Sequence, residues 1–253
     1  MNFRHMIESN SFTVVVSLPA NDLDLARAAL DAGAQAIKVH CNVWHRASGH
    51  TFGTYAENRE FLRQLITLCG EVPVGLVPGG AETFITPGER RELEQMGLGF
   101  FSAYSRDLPC HMMESPVLTK MVAIDSGYTP ETLDAVRDSD IDVLECSILP
   151  GEHYGTALCY DDILRFHSIA VKTAKPCLIP TQRRIQPSEV SHLYHAGCKA
   201  IMIGAVVMGS DPGPRQVYDA SAAFRKAVDA LPSVASAKAA VNKSGESPES
   251  KKE

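Results

Sequence analysis

No two cysteines in this 253-residue sequence have the C-x-x-C spacing, although seven cysteines are present. Their spacing excludes a zinc ribbon and a thioredoxin-type redox motif. The cysteines are odd in number and scattered through apolar segments. We therefore interpret them as buried, reduced thiols of a cytosolic protein.

Long apolar runs are equally scarce, and none approaches the roughly 20 residues that a transmembrane helix requires. The N-terminal sequence MNFRHMIESNSF has neither the apolar core nor the cleavage signature of a signal peptide. Neither sign of charge dominates, because the net charge of −6 comes from 24 basic and 30 acidic residues. We expect a cytoplasmic protein that has no membrane partner and does not bind nucleic acid.

Short β-branched runs alternate with amphipathic helical patterns from residue 12 to residue 231. Strands that alternate with helices predict a parallel sheet, and eight rounds match a single α/β domain closed as a (β/α)8 TIM barrel. A doubly wound open sheet is the alternative, but no G-x-G-x-x-G follows the first strand. The eight candidate strands are 13–17, 36–40, 72–77, 99–104, 120–125, 141–147, 175–181 and 200–206.

The composition changes near the C-terminus, where the sequence becomes VASAKAAVNKSGESPESKKE. Small and charged residues of this kind cannot bury enough apolar surface to fold. We therefore predict a barrel domain over residues 1–231 and a disordered tail over residues 232–253.

The second candidate strand, AIKVH, places two polar side chains where a barrel has its active site. Active sites of TIM barrels lie at the C-terminal ends of the strands, and alternate side chains point inward. Ile37 and Val39 suit the helix-packed exterior, so we expect Lys38 and His40 to point into the barrel. A lysine in that interior is costly unless it is paired or used for function.

Two carboxylates near the ends of other candidate strands complete the predicted catalytic set. Asp125 ends the run VAID, and Glu145 lies near the end of DVLECS. A lysine that faces carboxylates in a dry barrel favours proton transfer next to a carbonyl group. It also suits Schiff-base chemistry if burial lowers the pKa of Lys38. The candidate catalytic residues are Lys38, His40, Asp125 and Glu145, with a structural ion pair or a helix cap as the competing interpretations.

Anion binding is predicted where the last two candidate strands end. TIM barrels often bind phosphate with the loops after strands seven and eight and with the N-terminus of a short extra helix. Glycine at position 204 lets backbone amides approach an anion, and an arginine pair in the preceding loop would add charged donors. The predicted substrate- and phosphate-binding residues are Ser17, Gln182, Arg183, Arg184, Gly204 and Ala205.

Three histidines lie at intervals of five residues, beginning with the last residue of the second strand: His40, His45 and His50. That spacing does not place them on one face of a helix, and zinc ligands usually occur in tighter pairs. We interpret Trp44 and His45 as part of a mobile lid over the barrel mouth, and we expect no metal and no cofactor. A metal-dependent lyase or hydrolase centred on the three histidines is the alternative.

The segment PCLIPTQRRIQPSEVSHLYHAGCKAIMIGAVV resembles the last two units of the ribulose-phosphate-binding barrels. Within that group it is most similar to the N-acetylmannosamine-6-phosphate 2-epimerases, and the run AGAQAIKVH is similar to their A-G-A-x-A-I-R-I-E. The likeness is topological over most of the chain and extends to motifs over about 45 residues. It implies that Arg184, Gly204 and Ala205 contact phosphate. It also implies that Lys38 and His40 replace the family's strand-two arginine and glutamate.

Two motifs of that family have different residues here. The strand-three lysine of V-K-R-D has no counterpart in VPGG, and SAYSRD replaces A-I-D-G-T. The stretch VLECSILPG is also similar to glycerol-3-phosphate-responsive antiterminators. Both resemblances imply a small phosphorylated sugar or polyol as ligand. We therefore predict an isomerase, an epimerase or an aldol-type lyase. Barrels of this type often pair, and a homodimer is the corresponding expectation. A non-catalytic barrel that senses a phosphorylated metabolite is the alternative.

Overall fold

A closed barrel of eight parallel strands forms the centre of the computed structural model, which describes residues 2–232. Around the barrel the strands follow the order β1-β10-β9-β8-β7-β6-β5-β2, and β3 and β4 form a separate antiparallel hairpin. Residues 233–253, and with them most of the predicted tail, lie outside the described residues. The strands are β1 (Thr13–Ser17), β2 (Ala36–His40), β3 (Val43–His45), β4 (His50–Phe52), β5 (Val74–Val77), β6 (Phe100–Tyr104), β7 (Thr119–Ile124), β8 (Val143–Cys146), β9 (Cys177–Pro180) and β10 (Ala200–Ile203).

Helices connect the strands and cover the outside of the barrel. The arrangement confirms the predicted single (β/α)8 TIM barrel. Over residues 2–232, no helix combines the length and the apolar character needed to cross a membrane. The helices are α1 (Phe3–Ser9), α2 (Leu23–Asp31), α3 (Tyr55–Cys69), α4 (Pro87–Met96), α5 (Cys110–Met113), α6 (Pro130–Arg137), α7 (Tyr160–Thr173), α8 (Val190–His195), α9 (Ala205–Met208) and α10 (Pro214–Asp229).

Local sequence signals determine where several of these helices begin and end. Thr54 and Glu57 form a capping box at the start of α3, and Thr86 and Glu89 form another at the start of α4. Each box satisfies backbone amides that have no acceptor within the helix. Helix α4 ends at Gly97, whose φ of 96° lies in the left-handed region that favours glycine.

The observed strands differ from the predicted ones mainly at their ends. Strands β1 and β2 have the predicted bounds, but the last strand ends at Ile203 instead of residue 206. The chain leaves the sheet at Gly204, and the next four residues form the short helix α9. Helix α1 and the β3–β4 hairpin are additional elements that the strand pattern did not predict.

The N-terminal half of the barrel interior is filled by apolar side chains and closed by α1. The rings of Phe3 and Phe100 stack with their centroids 3.9 Å apart. A Cβ atom at Gly75 would lie 2.1 Å from the Phe100 ring, so only glycine on β5 leaves room for this stack. The other members of the cluster are Met6, Ile7, Val15, Ala36, Met121, Val143, Leu178, Ala200 and Met202. This core confines any open cavity to the C-terminal half of the barrel.

Candidate active site

A cavity of about 340 Å³ opens at the C-terminal ends of the barrel strands. This is the end at which TIM barrels carry their active sites. The side chains that line it come from most of the strands and from the β3–β4 hairpin. The predicted residues among them are Ser17, Lys38, His40, Trp44, His45, Glu145, Gln182, Gly204 and Ala205.

Lys38 projects from β2 into this cavity and is 5% exposed. Burial lowers the pKa of Lys38, and the negative charge of Glu145 opposes that change. The lysine makes no ion pair within 4.0 Å to any carboxylate of residues 2–232. Strands β2 and β8 stand opposite each other in the ring, so Lys38 and Glu145 approach the cavity from facing walls.

Glu145 is held by two serine hydroxyl groups. Ser102 on β6 donates to one carboxylate oxygen at 2.5 Å, and Ser147 donates to the other at 2.8 Å. All three side chains are buried. A carboxylate accepts hydrogen bonds only, so two hydroxyl donors fix the orientation of this group.

Two tyrosines extend this polar wall. The amide nitrogen of Gln182 donates to the Tyr154 hydroxyl at 2.6 Å, while its oxygen accepts from the backbone of Leu149 at 3.0 Å. Burial raises the pKa of Tyr104, and the neighbouring Tyr154 and Glu145 raise it further. Tyr104 therefore keeps its proton at neutral pH and can donate a hydrogen bond to a ligand.

The ring of His40 on β2 contacts the ring of His45 on the hairpin at an interplanar angle of 38°. Their ring centroids are 4.3 Å apart, and Phe52 lies 4.7 Å from His40. Neither ring nitrogen of His40 has a hydrogen-bond partner within residues 2–232. Burial, then His45 and Lys38, lower the pKa of His40 well below its usual range. Burial, then Lys38 and His50, lower the pKa of His45 to about 4, so both rings are neutral at neutral pH.

The residues predicted to form a mobile lid are arranged as a β-hairpin, in which His45 pairs with His50. Trp44 is 56% exposed, and the Arg46 guanidinium lies 5.9 Å from its ring centroid. A Cβ atom at Gly151, in the loop after β8, would lie 2.5 Å from Arg46. The hairpin therefore reaches from β2 across the cavity mouth to the opposite side of the barrel.

Asp125, which was predicted to be catalytic, does not line the cavity. Its carboxylate forms an ion pair with Arg106 and accepts a hydrogen bond from the backbone of Gly127 at 2.8 Å. It lies one residue beyond the end of β7, where strand alternation no longer determines the direction of a side chain. The structure does not bring Asp125 together with Lys38 and Glu145.

The two arginines after β9 also lie outside the cavity lining. Arg183 forms an ion pair with Asp162 of α7 at 2.8 Å. Arg184 is exposed, and its backbone amide donates to the carbonyl of Thr156 at 2.8 Å. The predicted charged donors for phosphate are therefore not among the residues that line the cavity with Gly204.

His40, His45 and His50 do not converge on a common point. His50 directs its Nδ1 atom at the carbonyl oxygen of Pro19, 3.1 Å away. His45 Nδ1 lies 2.9 Å from the hydroxyl of Ser48. Between residues 2 and 232, no group of three or more His, Cys, Asp or Glu side chains is arranged to hold a metal ion.

The charges around the cavity favour an anionic ligand. Lys38, Arg46 and Arg106 line it, against two acidic side chains, Glu145 and Asp107. Arg106 is compensated by its ion pairs with Asp107 and Asp125, whereas Lys38 and Arg46 have no ion pair within residues 2–232. Cations without an ion pair in a cleft attract small anions.

Helix α9 begins at the cavity wall. Gly204 precedes it, and its backbone amide donates to the hydroxyl of Thr181 at 3.2 Å. The first amides of a helix, here those of Ala205 and Val206, have no acceptor within the helix. Both residues line the cavity. A Cβ atom at position 204 would stand 3.4 Å from the backbone oxygen of Ser17, an ordinary contact, so glycine is not required here by space.

Sequence reasoning missed several polar residues of this site. Ser102 and Tyr104 on β6 share the inward face with Phe100, so strand alternation within GFFSAY was the available signal. Tyr154 lies beyond the end of β8, and Arg46 lies in the hairpin. No sequence pattern places either of these two in the cavity.

The sequence matches no family model and no curated protein sequence. Its fold is similar to that of thiamine phosphate pyrophosphorylase from Pyrococcus furiosus (TM-score 0.62, 16% identity), over 88% of this chain and 98% of that one. The tryptophan synthase α subunit from Legionella pneumophila has a TM-score of 0.68 and 11% identity, over 91% and 100% of the two chains. Phosphoribosyl anthranilate isomerase from Thermus thermophilus has a TM-score of 0.58 and 15% identity, over 85% of this chain and 99% of that one. At these identities the likeness establishes the fold, a TIM barrel, and nothing finer.

Proposed function

We propose that the protein is an enzyme that acts on a small phosphorylated sugar or polyol by proton transfer, as an isomerase, an epimerase or an aldol-type lyase. One observation carries the proposal. Lys38 and Glu145 face each other across a cavity that is also lined by the first residues of α9. The site therefore combines a cation, a carboxylate and backbone amides suited to phosphate.

Glu145 is the general base of the proposed reaction. Its carboxylate takes a proton from the carbon next to the substrate carbonyl, and returns it to the same carbon or to a neighbouring one. Lys38 faces the developing negative charge on the carbonyl oxygen and stabilises it. Ser102 and Ser147 keep the carboxylate oriented towards the cavity.

Phosphate recognition rests on the backbone amides at the start of α9. Ala205 and Val206 supply free amide groups, and Gly204 lines the cavity next to them. Two of the structural neighbours, the pyrophosphorylase and the isomerase, have a phosphorylated compound in their names. We further propose that these amides bind the phosphate without Arg183 and Arg184.

Membership of the epimerase family, a cytoplasmic location and a homodimer remain predictions from the sequence.

The test of the proton-transfer step is hydrogen exchange in heavy water. A panel of aldose and ketose phosphates is incubated with the protein in D2O, and NMR follows deuterium incorporation at the carbon next to the carbonyl. We expect exchange with at least one member of the panel. The variant Glu145→Gln should lose the exchange and still bind the compound. Binding without exchange in the wild-type protein would instead support the sensing barrel.

A further inference from the structure

Lys38 has a chemical capacity that charge stabilisation alone does not use. Its amine is buried in the cavity wall, and no carboxylate of the described residues pairs with it within 4.0 Å. An ammonium group without such a partner is costly to keep in a barrel interior. A primary amine that loses its proton in a cavity is a nucleophile for carbonyl carbon.

We propose that Lys38 is a covalent catalyst, which condenses with the carbonyl carbon of an aldehyde or ketone phosphate to form an imine. The inference rests on the proposed function and restricts the substrate to phosphorylated aldehydes and ketones, because polyol phosphates have no carbonyl group. The geometry that supports it is the placement of the amine on β2 directly across the cavity from Glu145 on β8.

The condensation balances with residues that the site contains. The nitrogen lone pair of Lys38 attacks the carbonyl carbon, a C–N bond forms as the C=O π bond breaks, and Glu145 passes one nitrogen proton to the oxygen, which becomes a hydroxyl group. Glu145 then accepts the remaining proton from the nitrogen and delivers it to the departing hydroxyl, which leaves as water while the C=N bond forms. Amine and carbonyl thus give imine and water, and nothing is oxidised or reduced.

The surroundings of Lys38 suit such an intermediate. His40, next on the same face of β2, is 1% exposed and covered by the rings of His45 and Phe52. These groups shield the interior wall on the Lys38 side, which limits hydrolysis of an imine by bulk water. On the facing wall, the two serines hold both oxygens of Glu145 in place for proton transfer.

The experiment traps the imine by reduction. The full-length protein is incubated with glyceraldehyde 3-phosphate or dihydroxyacetone phosphate and then treated with sodium borohydride. Glycerol 3-phosphate serves as the probe without a carbonyl group. Intact mass should increase by one probe molecule less one oxygen atom, and peptide mapping should place the adduct on Lys38. Labelling of Lys38 should exceed that of any exposed lysine by about tenfold, and inorganic phosphate should suppress it.

Two variants accompany the measurement. Lys38→Met should remove the adduct, whereas Lys226→Met, at an exposed position of α10, should retain it. Mapping on the wild-type protein decides the question even if the Lys38 variant fails to fold. Adducts spread evenly over exposed lysines, or no adduct on Lys38, would overturn the inference. If deuterium exchange persists without an adduct, the imine is wrong and the proposed function stands; if exchange is absent as well, both fail.

Discussion

The two halves of the barrel interior are built from the same strands but have opposite chemical character. On β2 the inward side chain is Ala36 near the N-terminal end and Lys38 nearer the C-terminal end. On β8 the corresponding change is from Val143 to Glu145. The N-terminal half is filled and apolar, while the C-terminal half is hollow and polar.

This difference shows how one barrel separates stability from chemistry. Close packing in the N-terminal half stabilises the fold through burial of apolar surface. The C-terminal half holds a buried amine and two histidines with lowered pKa values, and these groups oppose folding when they are charged. Substitutions in the two halves should therefore affect different measurements.

The largest effect on stability is expected where α1 closes the N-terminal end of the barrel, a contact that we call the N-terminal plug. Phe3 is fully buried and stacks on Phe100, so Phe3→Ala should lower the free energy of unfolding by about 3–5 kcal/mol. Denaturant unfolding measures this loss, and His5→Ala on the exposed face of the same helix is the control. Equal losses in the two variants would show that the plug does not stabilise the barrel.

Acid should weaken the C-terminal half selectively. The pKa of His45 is about 4 in the folded protein, against an ordinary value of 6.5. Between these values the unfolded chain binds more protons, so stability falls as the pH falls through this window, by about 3 kcal/mol in total. Urea unfolding from pH 7 to pH 4 should therefore show a smaller loss in His45→Asn than in the wild type. Parallel pH profiles would contradict the account.

Removing the buried amine should stabilise the protein while abolishing its chemistry. Lys38→Met replaces a buried charge with an apolar side chain, and we expect a gain of about 1 kcal/mol at neutral pH. Burial lowers the pKa of Lys38, so the charged lysine reduces the unfolding free energy of the wild type at low pH. This reduction disappears as the pH rises towards 10.5. The gain in unfolding free energy that Lys38→Met produces should therefore shrink as the pH rises. A loss of stability at neutral pH would mean that the lysine is structurally paired.

The smallest effect on stability is expected at the β3–β4 hairpin over the cavity mouth. Arg46 is exposed on the hairpin and has no ion pair within residues 2–232, so Arg46→Gln should change the unfolding free energy by less than about 0.5 kcal/mol. The variant should nevertheless bind phosphorylated compounds a few-fold more weakly, with a reduced salt dependence. Titration calorimetry at two salt concentrations measures this, with Arg63→Gln on the exposed face of α3 as the control. An unchanged affinity would remove Arg46 from the site.

The sequence allowed the barrel and the strand-borne part of the site to be predicted, because both follow from alternation. A period of two residues determines which side chains of β2 and β8 point inward, and Lys38 and Glu145 lie within those strands. Asp125 and Arg183 lie just beyond strand ends, where the loop conformation and an ion pair set their direction. Periodicity contains no information on such pairs. The β3–β4 hairpin was missed because its two strands have three residues each.

A thermal-shift comparison of the wild-type protein and Ala205→Pro tests the central claim most directly. Proline is tolerated at the first position of a helix, because the amide there has no acceptor within the helix, yet the substitution removes one of the two free amides at the start of α9. Phosphorylated sugars should stabilise the wild type, by about 2.7 kcal/mol at a hundredfold excess over the dissociation constant. Their unphosphorylated counterparts should have no effect, and Ala205→Pro should lose the shift. Equal shifts with unphosphorylated sugars, or a shift that only zinc or manganese produces, would contradict the account.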